Sequence, residues 1–135
     1  MPNSKAQLLL YHSMMLMVTA DGEASDEELA LVEVFCRTVP EFRESDLAEL
    51  RQSWREFAEG YDDRWDALSA LVDLEDERLS KKAFFLACDI ALASEGIKGE
   101  EYDMLNDMGA ALGIRDNEAL NILNVLQLKY AEPPS

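Results

Sequence analysis

"MMLMVTADGEASDEELALVEVF", residues 14–35, fixes how the rest of the chain is read. It opens in an apolar run, breaks at Asp21-Gly22, and resumes as an amphipathic pattern. Five carboxylates fall between Asp21 and Glu28. Ser25-x-x-Glu28 has the form of a capping box: the serine oxygen can accept from the N–H at the third helical position, and the glutamate can reach back to the serine N–H. Leu29, Val32, Cys36 and Val39 follow at steps of three and four, which turns one helix face inward, and Pro40 closes the segment. The stretch predicts a buried helix, an acid–Gly turn and an amphipathic helix.

The same plan returns at "DIALASEGIKGEEYDMLNDM", residues 89–108. Glu95-Gly96 answers to Asp21-Gly22 and Glu101 to Glu28, with one residue fewer in the second turn. Two copies of a helical hairpin predict an internal duplication, with repeat halves at about 4–60 and 80–130. Their nearly apolar helices should lie side by side at the centre, related by approximate twofold symmetry. A helix apolar on most sides must be covered on most sides.

Between and beyond the hairpins the punctuation stays helical. Ser45 is expected to cap a third helix with Leu47, Leu50, Trp54, Phe57 and Tyr61 inward, ending at Gly60. A fourth, more polar helix carries Trp65, Leu68, Leu71 and Val72. Ser80 is expected to open the fifth. A sixth begins near Glu100 with Tyr102, Leu105, Met108 and Leu112 inward and stops at Gly113. Asp116 or Asn117 is expected to cap a seventh with Leu120, Leu123, Leu126 and Tyr130 on one side. The fold class is all-α: a compact bundle of about seven helices in a single domain spanning 1–135.

A net charge of -16 on 135 residues excludes whole classes of partner. A polyanion does not release counterions from nucleic acid, and it is repelled by anionic lipid. Basic protein faces and divalent cations remain. The two cysteines, Cys36 and Cys88, sit in apolar helical patterns without a CxxC partner, as buried thiols in a reducing cytosol would. Residues 1–20 carry a faint signal-peptide outline, but Gln7, His12 and Ser13 interrupt it, and the duplication gives the stretch a structural role. No run reaches the length of a membrane span.

The paired turns, "ADGEASDEE" and "ASEGIKGEE", each following an apolar helix, resemble the TerB-like family over about residues 8–128. The resemblance implies a duplicated bundle of about seven helices, a bacterial cytoplasmic setting, and a link to tellurite or other stress responses. It also implies an acidic metal-binding surface, whose positions here would be Asp21, Glu28, Glu95 and Glu101. The second turn departs from the pattern, with Glu95 in place of the usual Asp and Lys98 entering the loop.

Read from the residues, the acidic turns leave two roles open. An EF-hand fails, because Gly22 at its sixth position puts Met17 and Thr19 where the first two oxygen ligands belong, and Glu101 falls one place short in the second turn. A looser site is compatible with calcium or magnesium, which accept carboxylates with water filling the remaining positions. The simplest role is structural: Asp26, Glu27 and Glu28 complement a helix dipole. Asp89, alone in an apolar helix, is expected at a hydrogen-bonded or exposed edge, and His12 as a satisfied core or rim histidine. The aromatic stripe Trp54, Phe57, Tyr61 and Trp65 reads as core before it reads as a ligand groove. No GxSxG, HExxH or P-loop is present. The expected function is therefore a non-enzymatic binding or adaptor domain. It would take a divalent cation at the acidic turns or, alternatively, a basic protein partner without metal.

Overall fold

The computed structural model describes residues 4–20, 24–94 and 99–134. Among them every regular element is helical: α1 (Ser4–Val18), α2 (Asp26–Thr38), α3 (Leu47–Glu59), α4 (Arg64–Ser69), α5 (Glu77–Ser94), α6 (Gly99–Leu112) and α7 (Asp116–Lys129). Short 3-10 segments, Pro40–Phe42 and Ala70–Asp73, join α2 to α3 and extend α4.

The centre is α1 against α5, the most extensive helix pair in the molecule. From Leu9 to Val18 every residue of α1 is buried, and Phe84, Leu86, Ala87, Cys88, Ile90 and Ala91 are buried on α5. Full burial of a leucine, methionine or phenylalanine side chain is worth about 1.5–3 kcal/mol, so this pair dominates the core. Ala83, Ala87 and Ala91 recur every four residues and are fully buried. Ser13 Oγ, which donates to the carbonyls of Leu10 (2.7 Å) and Ala83 (3.2 Å), places this small-residue ridge against α1. Small side chains on an i, i+4 row let two helix backbones approach closely.

Each central helix carries its hairpin partner: α2 packs on α1, and α6 on α5. The reciprocal contacts, α2 with α5 and α6 with α1, are also present, as a twofold relation between the hairpins requires. α3 covers α1, and α7 covers α5. Gly113 ends α6 at φ 73°, with Ile114 N–H donating to the Gly109 carbonyl and Gly113 N–H to that of Ala110. This is a Schellman closure, which needs a left-handed residue at the glycine's position.

Several details differ from the sequence reading. The cap of α3 is Asp46, whose carboxylate accepts from Ala48 and Glu49 N–H, and not Ser45. α5 starts earlier than Ser80, with Asp76 accepting from Arg78 and Leu79 N–H, while the buried Ser80 hydroxyl turns to the Leu74 carbonyl. Arg115 is the N-cap of α7, and its N–H is taken by Glu118, so neither Asp116 nor Asn117 caps. The fourth helix gives way to a 3-10 segment after Ser69. Leu68 on α4, Leu71 on that segment and Leu74 just after it fall three residues apart and are buried, while Trp65 on α4 and Val72 on the segment are exposed. Tyr102 and Leu120, expected inward, are also exposed.

Candidate acidic binding surface

The start of α2 forms as its sequence requires. Ser25 is extended (φ -75°, ψ 161°), its Oγ accepts from Glu28 N–H, and Glu28 Oε1 accepts from Ser25 N–H, both at 3.1 Å. Asp26 and Glu27 are exposed on the same turn. At the start of α6, Glu100 is exposed and Glu101 is buried. Glu28 and Glu101 are each the third residue of their helix, the equivalence that the repeat implies. Asp21 and Glu95 lie outside the described residues. Among those described, no three His, Cys, Asp or Glu side chains converge as a metal group would.

Among the described residues, six of the chain's twelve lysines and arginines pair with carboxylates of the fold. Lys5 pairs with Asp73, Arg51 with Glu33, Arg64 with Asp107, Lys81 with Glu77 and Glu118, Lys82 with Glu41, and Lys129 with Asp89. Hydrogen bonds from Lys81 and from the Arg115 backbone hold the Glu118 carboxyl below its ordinary range. Exposed pairs of this kind add little stability. They leave the net charge of -16 as it is, with carboxylates outnumbering bases on what remains of the surface. Asp89 and Glu101 are the buried acids among the described residues, so the acidic surplus lies on the surface.

One part of that surface is concave. A groove of about 570 Å³ runs between the start of α1 and the start of α3, lined by Lys5, Gln7, Leu8, Glu44, Ser45, Asp46, Glu49, Leu50 and Ser53. Three carboxylates face one lysine across it, and that lysine is already paired with Asp73. Asp46 is held in place by its capping bonds. Sequence reading missed this groove, because its walls come from positions about forty residues apart; the local signal was the acidic run from Glu41 to Glu49.

No family model, curated protein or solved structure matches the chain. The TerB-like resemblance therefore rests on the duplicated pattern and its acid–Gly turns.

Two polar clusters lie inside the fold. His12, the only histidine, is buried. Trp54 Nε1–H donates to its Nδ1 at 2.9 Å, which makes Nδ1 the bare nitrogen and leaves Nε2–H to donate to the Ala67 carbonyl at 2.8 Å. Phe57 meets the imidazole edge-on and Tyr61 stacks on it, so three of the four stripe aromatics close around His12 from half-buried positions, Trp54 and Phe57 packing against the core, while Trp65 is exposed. Burial pushes the His12 pKa down, and the Ala67 bond opposes this only in part. In the second cluster Asp89, buried on α5, accepts from Lys129 Nζ (3.0 and 3.2 Å) and from Tyr130 Oη. Burial works against the Lys129 charge, but the bonds to Asp89 and Tyr130 raise its pKa. Cys36 and Cys88 are buried free thiols, pushed up to about 12 chiefly by burial, which makes them poor nucleophiles and poor metal ligands.

Proposed function

We propose that this chain is a non-enzymatic, TerB-like binding module of a bacterial cytoplasmic stress response, tellurite stress included, and that its ligand is cationic. The observation that carries the reading is the acid-walled groove between α1 and α3, where Glu44, Asp46 and Glu49 meet a single lysine. A basic segment of a protein partner fits it. Lysine or arginine side chains would neutralise carboxylates that repel one another, and the field of a -16 chain would steer the approach. No helix among the described residues is long and apolar enough to cross a membrane.

A second reading places a divalent cation, calcium or magnesium, at the acidic turns through Asp21, Glu28, Glu95 and Glu101. Its support is the equivalent placement of Glu28 and Glu101 at the third residue of α2 and α6. Against it, Glu28 already serves the cap of its own helix.

Calorimetric titration at about 0.15 M salt, which screens diffuse charge, separates the two. An oligo-arginine peptide should bind saturably and lose most of its affinity in a Glu44→Gln, Glu49→Gln variant. Calcium saturating at one or two equivalents, and lost in Asp21→Asn, Glu28→Gln, would establish the metal reading instead. Glutamine keeps a cap-competent oxygen at position 28, so that variant removes charge and not the helix start. Weak, unsaturable heat from both ligands would overturn the proposal.

A further inference from the structure

α3 is held to the centre of the fold by a hydrogen bond whose direction depends on one proton. The His12 imidazole, on α1, is 1% exposed. Its Nδ1 accepts from Trp54 Nε1–H at 2.9 Å while Nε2–H donates to the Ala67 carbonyl at 2.8 Å, a division of roles that only the neutral ring can fill. Phe57 on α3 and Tyr61 just past its end complete the enclosure, with ring centres 5.1 and 5.9 Å from that of His12. Little else holds α3. Leu50 is its one buried residue, and Leu47, Trp54 and Phe57 are half-buried against the core. α1 is the one helix on which it packs extensively, and Arg51, which also bonds Tyr11, ties it to Glu33 of α2. An element with so few buried contacts opens at lower cost than the core.

We infer that His12 is a proton-sensitive latch: a proton taken up at Nδ1 expels the Trp54 indole and frees α3 from α1, while the α1–α5 centre stays packed. Imidazolium donates from both nitrogens and an indole N–H can only donate, so two donors would face each other at 2.9 Å. The ring would also hold its charge out of reach of water. Opening α3 relieves both, because it hydrates the imidazolium and the indole N–H together. The charges of the surrounding elements do not offset that charge. Tyr61, the titratable group stacked on the ring, is neutral through the acid range. Asp66 of α4 and Asp73 of the 3-10 segment act on Tyr61, and Asp73 also pairs with Lys5. Arg55, Glu56 and Glu59 of α3 are exposed. On α5, Lys81, Lys82 and Asp89 are paired with Glu118, Glu41 and Lys129. On α6, Asp107 is paired with Arg64, and Glu101 is buried in the first turn. None of these sets the His12 pKa, which burial lowers and the Ala67 bond partly restores. α3 is also one wall of the acidic groove, so the same proton dismantles it; on the proposed reading of that groove, acid releases its occupant.

The test is amide hydrogen exchange of the whole chain, read as protection at Trp54 and Phe57 on α3 and at Ala87 and Ile90 on α5, between about pH 7 and about pH 5. His12 is the only imidazole, and free carboxylates titrate mostly below that range. α3 should exchange through an opening that spares α5, so its protection should be the lower at each pH. The open state takes up a proton that the closed state lacks, so α3 protection should fall about tenfold per pH unit below about 6.5. In His12→Gln, whose amide stays neutral and can both accept from Trp54 and donate to Ala67, that slope should vanish. Trp54→Phe leaves the imidazole in place and removes the donor that the proton displaces, so the His12 pKa, followed by NMR, should move up toward 6.5. Protection at α3 that ignores pH or equals that of α5, a slope that survives His12→Gln, or a His12 pKa unmoved by Trp54→Phe would each overturn the assignment. Oligo-arginine binding tests the groove and does not enter these readings.

Discussion

Replacing Lys129 by methionine isolates the force that seats the end of α7. The Asp89 side chain is 8% exposed and the Lys129 side chain 53%. The ammonium also lies 5.3 Å from the centre of the Phe35 ring on α2 and 5.0 Å from that of Tyr130, so one cation ties α7 to α5 and α2. Breaking a fully buried ion pair costs about 3–5 kcal/mol, because a charge is left behind in a poor solvent. Here water reaches the lysine side, which discounts the loss to about 1–3 kcal/mol. With a urea m-value of roughly 1–3 kcal/mol/M, the unfolding midpoint of Lys129→Met should fall by about 1 M. Asp89→Asn makes the opposite cut. The half-exposed ammonium returns to water and the amide oxygen still accepts from Tyr130, so the cost should stay under about 1 kcal/mol. The order of the two variants is the test: if Asp89→Asn costs as much as Lys129→Met, the buried anion is not what makes the pair matter. Hydrogen exchange in the last two turns of α7 should speed up in Lys129→Met and not in α1.

Two further outcomes follow from single residues. The His12 pKa is lowered in the fold, while in the unfolded chain it lies near 6.5, so below about pH 6.5 the unfolded state binds the extra proton. Stability should therefore be intact above that pH and decline as pH falls through it toward the lower folded value. The sole imidazole must titrate below 6.5 by NMR; titration at or above 6.5 would refute the neutral, double-bonded histidine. Gly113→Ala meets no neighbour within 4 Å but must hold φ 73°, so it should cost about 1 kcal/mol in a urea melt through backbone strain alone.

What the sequence could and could not specify divides along distance in the chain. The capping box at Ser25 and Glu28, the end of α3 at Gly60 and the burial of α1 depend on neighbours within a turn, and all were readable. His12 and Ser13 looked like breaks in an apolar run. Both are buried: the His12 acceptor, the Ala67 carbonyl, stands 55 residues away, and Ser13 is satisfied locally at the Leu10 carbonyl and again at that of Ala83, 70 residues away, which no local pattern reveals. The misplaced caps at Ser45 and Asp116 fall beside the true ones, where backbone angles choose between adjacent residues. Leu120 was misjudged for another reason. A seam through Leu120 and Leu123 and one through Ala119, Ile122, Leu123 and Leu126 satisfy the same 3.6 repeat, and the second is the one that meets the core. Of the four expected ligands, Asp21 and Glu95 lie outside the described residues and Glu28 and Glu101 each stand third in their helix, while the acidic groove at Glu44, Asp46 and Glu49 depends on how α3 crosses α1.

The salt response of the α1–α3 groove tests what holds a ligand there. A basic segment held by charge should lose affinity as ionic strength rises, because mobile ions screen the carboxylates of Glu44, Asp46 and Glu49. The Glu44→Gln, Glu49→Gln variant has fewer charges to screen, so its weaker binding should also show a shallower salt slope. An oligo-arginine affinity that stays level as salt is raised from about 0.05 to about 0.5 M would mean that apolar contact, and not charge, holds the peptide. The same slope in the variant as in the unaltered chain would place the peptide on other carboxylates of the surface.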